Sequence, residues 1–190
     1  MYIKTTVEDT ISLPPKYLGE DIKKGVKEML RLKYERTLDK DLGIILAIFD
    51  VRDVSGGYIL PSDPNIYYKV TFDILSYKVE VDEVVVGEVV EMAEFGCFVK
   101  IGPIQGLLHI SQMIDEYIKY DKKLGYFTNA KGNKNIKKGD ILYAKVSTVS
   151  MKNNIKDIKI ALTTRPAGLG KPEWLKITEK PTKKKGEKNG

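Results

Sequence analysis

The chain has 190 residues, 42% of them hydrophobic and 31% charged, with a formal net charge of +6; that is the composition of a globular protein of one large or two small domains. A single cysteine, Cys97, and a single histidine, His109, exclude a disulfide framework, a cysteine-only metal site and a multi-histidine site, and point to a reducing compartment. No apolar run nears the roughly 18 residues of a membrane span, and Met1-Tyr2-Ile3-Lys4 lacks a signal-peptide layout, so a cytoplasmic location is expected.

Residues 1–13 alternate loosely and end at Pro14-Pro15, which reads as a strand and a break. Residues 20–38 read as a helix, with Ile22, Val26, Met29 and Leu30 on one face and Asp21 at the end where a negative charge suits the helix dipole. Gly43 to Val51 is a continuous apolar run, the mark of a strand covered on both faces. Ser55-Gly56-Gly57 reads as a turn before a short strand, Tyr58-Ile59-Leu60, and Pro61-Ser62-Asp63-Pro64-Asn65 as a second, stiff turn. From Ile66 to Val79 the pattern alternates, with Tyr68, Val70, Phe72 and Ile74 opposite Lys69, Thr71 and Asp73. The first eighty residues are thus strand–helix–strand–strand–strand, an α+β unit.

The second half changes style. Candidate strands at 86–93, 96–101, 105–110, 141–149 and 157–163 are short and glycine-punctuated, which predicts a small all-β, five-stranded closed barrel. Residues 111–138, rich in Tyr, Lys, Gly and Asn, interrupt the strand pattern as an insertion. The predicted domains are 1–80 and 81–177, followed by a basic, disordered tail at 178–190. Charge divides unevenly: residues 1–82 sum to −2 and residues 83–190 to +8. The second half is therefore the better candidate for a polyanion contact.

Period-two geometry sorts the barrel residues by face. Cys97, Val99 and Ile101, Leu108 and Ile110, and Leu142, Ala144 and Val146 are expected to point inward. Phe98, His109 and Tyr143 are then left outside with Lys100, Lys145 and Lys159, and Phe95 stands at a strand end. Aromatics interleaved with lysines form the stacking platform and charged rim that hold single-stranded nucleic acid, at about 1–3 kcal/mol per stacked base.

These residues carry a family pattern. Gly87 to Ile101 with Phe95, Gly96 and Phe98, then Gly106-Leu-Leu-His109-Ile-Ser111, Lys138-Gly139-Asp140 and Leu162-Thr-Thr-Arg165, resemble the OB-fold RNA-binding domain named for the largest protein of the small bacterial ribosomal subunit. That resemblance implies single-stranded RNA binding on the face of Phe95, Phe98 and His109. With the first eighty residues, including Gly57-Tyr-Ile-Leu-Pro61-Ser-Asp63, nearly the whole chain resembles the stalk subunits of archaeal and eukaryotic RNA polymerases, above all the archaeal branch. The resemblance implies a truncated ribonucleoprotein-like first domain whose tip loops, here Ser55, Gly56 and Gly57 with Leu60, Pro61, Ser62, Asp63 and Pro64, dock on the polymerase core. It also implies a heterodimer with a small helical stalk partner of the F type, contact with emerging transcript, help in promoter opening, and no cofactor or chemistry of its own.

The residues themselves offer little to an enzyme. They contain no Gly-x-x-x-x-Gly-Lys-Ser/Thr phosphate loop, no Ser-His-Asp set with a plausible base and no clear acidic cluster for two-metal catalysis. The alternative is a free-standing RNA-binding protein of translation or RNA processing.

Overall fold

The computed structural model describes residues 1–17, 21–151 and 155–178. Residue 20 of the expected helix, and all but the first residue of the expected tail at 178–190, lie outside the described residues. The chain separates into two compact units, Met1–Val79 with Met151–Ile158, and Glu80–Ser150 with the chain from Lys159 onward.

The first unit runs β1 (Tyr2–Leu13), α1 (Ile22–Tyr34), β2 (Leu38–Asp39), β3 (Gly43–Ile59) and β4 (Ile66–Tyr77). Its antiparallel sheet has the order β1-β4-β3-β2. Helix α1 starts where the Asp21 carboxylate accepts the Lys23 N–H at 3.0 Å, which satisfies one of the orphan donors of the first turn. It ends four residues before the expected limit. Arg36 takes a positive φ of 63° and donates its N–H to Ile45 O at 2.9 Å, so the chain turns back to pair with β3. The helix buries Val26 and Leu30 against Leu13, Val70, Phe72 and Ile74, which is the face its 3.6-residue period marks out.

Strand β3 departs from expectation in two ways. It continues to Ile59, so Ser55-Gly56-Gly57 is not a turn but a bulge, with a register shift between Ser55 and Tyr58 and Gly56 at a φ of 64°. A glycine inside a strand commonly marks such a site. Nor is Gly43 to Val51 covered throughout on both faces, because Phe49 and Asp50 are exposed. Four register shifts interrupt the β3–β4 ladder. Each shift adds a residue to β3, so the helix-facing side chains Ile45, Ile48, Val51 and Val54 recur every third position instead of every second.

Asp73 points away from the helix, as its register requires, yet is only 3% exposed. Arg52 grips it with Nε at 2.8 Å and Nη2 at 2.9 Å, the Thr6 hydroxyl donates to it at 2.8 Å, and Lys4 Nζ stands at 3.2 Å. One carboxylate thus ties β1, β3 and β4 together.

The second unit contains β5 (Val84–Ala93), β6 (Gly96–Ile101), β7 (Ile104–His109), β8 (Ile118–Asp121), β9 (Tyr126–Asn129), β10 (Asn135–Ile136), β11 (Ile141–Ser150), β12 (Lys159–Thr163) and α2 (Pro172–Thr178). Five strands close a barrel in the order β11-β12-β7-β6-β5, with β12 parallel to β7 and β11 antiparallel to β5. Cys97, Val99, Leu108, Leu142, Ala144, Val146, Ile160 and Leu162 fill it. Gly87 holds an inward position where a Cβ would lie 2.4 Å from Val99 Cγ1, and at Gly106 one would lie 2.8 Å from Leu162. Ile110, expected inside, is half-buried, because β7 ends at His109 and Ile110 starts a tight helical turn.

The insertion has structure of its own, a three-stranded sheet ordered β10-β9-β8 that buries Ile118, Phe127 and Ile136. Beside it, Asp140 and Lys171 form an ion pair at 2.9 Å, with side chains only 9% and 8% exposed. Asp140 also accepts the Lys137 N–H at 2.8 Å.

Both buried carboxylates make the fold sensitive to charge. The Asp73 carboxyl is held at about 2, first by its Arg52 hydrogen bond and then by those from Thr6 and Lys4, against the opposing effect of desolvation. Because folding lowers this pKa from about 3.9, the contact stabilises the fold above pH of about 4, and that stabilisation is lost as pH falls toward 2. Asp73→Asn is expected to be less stable than the parent in denaturant titrations at pH 7, with the gap closing at the acid end; a pH-independent gap would refute the ion-pair account. Asp140→Ala leaves Lys171 with the Asn135 amide oxygen at 3.3 Å and Glu173 at 3.9 Å. A loss on the order of 3 kcal/mol in urea unfolding is expected.

Candidate nucleic-acid interface

Phe95 sits in the turn between β5 and β6, 49% exposed. Its ring meets that of Phe98 edge to face, with centroids 6.4 Å apart and planes at 90°, a geometry that the ring quadrupoles favour. His109 pairs with Gly96 across the β6–β7 ladder, and Ile110 N–H donates to Phe95 O at 2.9 Å. These contacts place the histidine at the same end of the barrel as the two rings. His109 Nδ1 accepts the Ser111 N–H at 3.3 Å and lies 2.8 Å from the Ser111 hydroxyl. A lone pair at Nδ1 puts the proton of the neutral ring on Nε2, so the exposed edge of His109 presents a donor.

Lys100 lies two residues beyond Phe98 on the same outward side, opposite Glu88 on β5 and Gln105 on β7. Phe95, Phe98, His109 and Lys100 therefore form one neighbourhood around β6 and β7. Tyr143, Lys145 and Lys159 stand elsewhere on the circumference. Strand β11 is separated from β6 by β5 on one side and by β12 and β7 on the other. Tyr143 is half-buried, and its backbone pairs with Gly170, donating at 2.9 Å and accepting at 2.8 Å. Lys145 Nζ is 2.6 Å from Asp82. Lys159 opens β12 opposite Ser150 and is exposed.

In the first unit, the residues expected to dock gather at one end of the β3–β4 hairpin. Ser55 faces Lys69 in the register, with its hydroxyl 3.4 Å from Lys69 O. Gly56 and Gly57 form the bulge, and Leu60, Pro61, Ser62, Asp63 and Pro64 make the connection to β4. Asp63 locks that connection, accepting the Asn65 N–H at 2.8 Å and the Tyr67 hydroxyl at 2.5 Å. The hydrogen bond from Tyr67, ahead of that from the Asn65 N–H, holds the Asp63 carboxyl below the usual range. Beside these residues stand Tyr58, stacked on Tyr67 at 5.6 Å, and Ile59, neither of them among the residues expected to dock. They are 50% and 66% exposed, beside Leu60 at 43%. The signal was an apolar run, Tyr58-Ile59-Leu60, on a strand end with nothing in the sequence to cover it.

Among the described residues no group of three or more His, Cys, Asp or Glu side chains could hold a metal ion, and no helix is long and apolar enough to cross a membrane.

A sheet-and-helix unit followed by a five-stranded barrel with an aromatic-histidine mouth defines a two-domain protein of α+β plus OB-fold class. Residues 8–64 match the family model described as the SHS2 domain found in the N terminus of Rpb7p/Rpc25p/MJ0397, and residues 78–158 match the S1 RNA binding domain. The chain is 37% identical over 180 residues to DNA-directed RNA polymerase subunit Rpo7 of Saccharolobus solfataricus, covering 95% of this chain and 100% of the relative. It is 34% identical over 175 residues to Rpo7 of Sulfolobus acidocaldarius, covering 92% and 95%. With DNA-directed RNA polymerase II subunit RPB7 of Saccharomyces cerevisiae it shares 31% identity over 97 residues, 50% of this chain and 57% of the relative. The chain belongs to the Rpo7 family of DNA-directed RNA polymerase subunits, a non-catalytic family.

Cys97 lies inside the barrel at 0% exposure. Burial, aided by the nearby Asp140 charge, pushes its thiol up to about 12, so the reactive thiolate is scarce at neutral pH. In native buffer at pH 8 a thiol-exchange reagent is expected to label no cysteine, and in denaturant one per chain. Fast labelling of the folded protein would contradict the closed barrel.

Proposed function

We propose that this chain is the stalk subunit of a DNA-dependent RNA polymerase in the cytoplasm. It docks on the core through the hairpin end at residues 55–65, pairs with a small helical stalk partner of the F type, holds emerging single-stranded RNA on the barrel and assists promoter opening. The observation that carries the reading is that the two units present surfaces of different chemistry. The β3–β4 end offers Tyr58, Ile59 and Leu60 on a turn stiffened by Pro61, Pro64 and Asp63, suited to burial against protein. The barrel mouth offers two aromatic rings, an imidazole donor and a lysine, suited to unstacked bases and phosphate. In this reading Phe95 and Phe98 stack bases, His109 donates from Nε2, and Lys100 takes a phosphate. Tyr143, Lys145 and Lys159 meet the strand farther around the barrel. The match to Rpo7 over nearly the whole chain supports both halves of the assignment.

The two surfaces are separable by experiment. Ile59→Asp with Leu60→Asp is expected to abolish recovery of the large polymerase subunits in a high-salt pull-down, with affinity for single-stranded RNA unchanged. Phe95→Ala with His109→Ala is expected to do the reverse, weakening RNA binding about tenfold or more, in line with about 1–3 kcal/mol per stacked base. If both pairs change only RNA affinity, the chain is a free-standing RNA binder and the stalk assignment fails.

A further inference from the structure

The insertion between β7 and β11 carries the densest positive charge in the described chain, and the barrel reading leaves it unused. Between residues 117 and 138 seven lysines face one acidic residue, Asp121. That carboxylate is occupied by the backbone, accepting the N–H of Lys123 at 2.9 Å and of Leu124 at 3.1 Å. It shapes the β8–β9 turn and forms no ion pair with the described lysines around it.

The same turn reaches the barrel mouth. Lys122 Nζ lies 2.7 Å from Glu94 Oε1, and Glu94 immediately precedes Phe95. The contact puts the hairpin tip beside the aromatic pair and compensates the carboxylate next to Phe95 in the chain. Lys119, three residues back, is about 10 Å farther along the strand at roughly 3.3 Å per residue. It projects from the outward side of β8, opposite Thr128. Lys119 and Lys123 are exposed, and among the described residues neither has an ion-pair partner.

The hairpin is a firm support for them. Its inward side buries Ile118 and Phe127, and Tyr120 packs on Phe127 with centroids at 5.1 Å. Asn129 is 2% exposed and donates to Glu116 at 2.8 Å and to Asn133 at 2.7 Å. Glu116 also pairs with Lys134 at 3.2 Å, so its charge too is compensated.

We propose that the β8–β9 hairpin is a second wall of the RNA site, in which Lys119 and Lys123 take phosphates of a single strand whose bases stack at Phe95 and Phe98. This rests on the reading of the barrel mouth as a single-stranded RNA site and extends its footprint onto the insertion. Cations held on a stiff scaffold beside a stacking platform are the two elements of sequence-tolerant single-strand binding. The occupant is a polyanion rather than a protein because Lys119 and Lys123 carry charge of one sign with no ion-pair partner among the described residues, and beside them the exposed Tyr117 offers a ring on which a base can stack, Leu124 being the other exposed apolar neighbour.

The test is the salt dependence of binding to a short labelled oligouridine, using the full chain. Each phosphate contact on a single strand contributes about 0.7 to the slope of log K against log salt. Lys119→Ala with Lys123→Ala is expected to lower affinity and flatten the slope by about 1.4. Lys119→Arg with Lys123→Arg is expected to keep both near the parent values, and Phe95→Ala to lower affinity with the slope unchanged. Thermal melts verify that each variant is folded. If the alanine pair binds like the parent while Phe95→Ala weakens binding, the hairpin proposal is overturned and the barrel mouth stands. If the alanine pair keeps its RNA affinity but no longer retains polymerase subunits, the hairpin is a protein contact and the proposal is again overturned. If the parent itself binds no oligouridine, the barrel reading fails and the hairpin proposal with it.

Discussion

A Cβ at position 87 would overlap a methyl of Val99 and press on Lys100 O and Ile101, so closure of the barrel depends on β5 crossing β6 without one. The ladder that this approach allows runs from Glu88 opposite Lys100 to Ala93 opposite Gly96, where the mouth begins. With β5 tight against β6, the turn between them puts Phe95 edge-on to Phe98. The β6–β7 ladder then sets His109 beside Gly96. Gly106 allows the corresponding approach of β7 to Leu162 on β12, and the outward positions of β6 and β7 become one surface because their inward positions interlock.

The first unit solves a different problem, that of carrying a stiff, apolar end on a long hairpin. Strand β3 has 17 residues, and a ladder of that length accumulates twist. Its four bulges keep Ile45, Ile48, Val51 and Val54 on the helix side while the strand bends. On the face away from α1 Asp73 gathers Arg52, Thr6 and Lys4 from the flanking strands, holding their register. At the far end Asp63 does by hydrogen bonding what a core does elsewhere, fixing the connection so that Tyr58, Ile59 and Leu60 remain presented.

Charge is placed with the same economy. Five described acidic residues of the second unit are each paired with a basic side chain: Asp140 with Lys171, Glu94 with Lys122, Glu116 with Lys134, Asp115 with Arg165 and Asp82 with Lys145. Among the described residues of that unit several lysines have no such partner. Lys100 at the barrel mouth and Lys119 and Lys123 on the hairpin are among them.

Much of this was legible in the sequence because it is local. Two-residue alternation identified Cys97, Val99 and Ile101 as inward and Phe98 and Lys100 as outward, and glycine spacing marked the five barrel strands. The motif around Phe95, Gly96 and His109 pointed to the family. What stayed hidden depends on residues far apart in the chain. Bulges in β3 changed the core period from two to three, so an apolar run looked covered on both faces and a glycine bulge looked like a turn. Closure of the barrel carried Tyr143, Lys145 and Lys159 around the circumference from Phe98, although each faces outward as its alternation requires. The ion pairs of Glu94 with Lys122 and Asp140 with Lys171 join residues 28 and 31 positions apart. Which side of each barrel strand is wet follows from alternation, a relation between neighbours two residues apart. Which wet sides meet follows from register and closure, which strands pairing across the whole domain set.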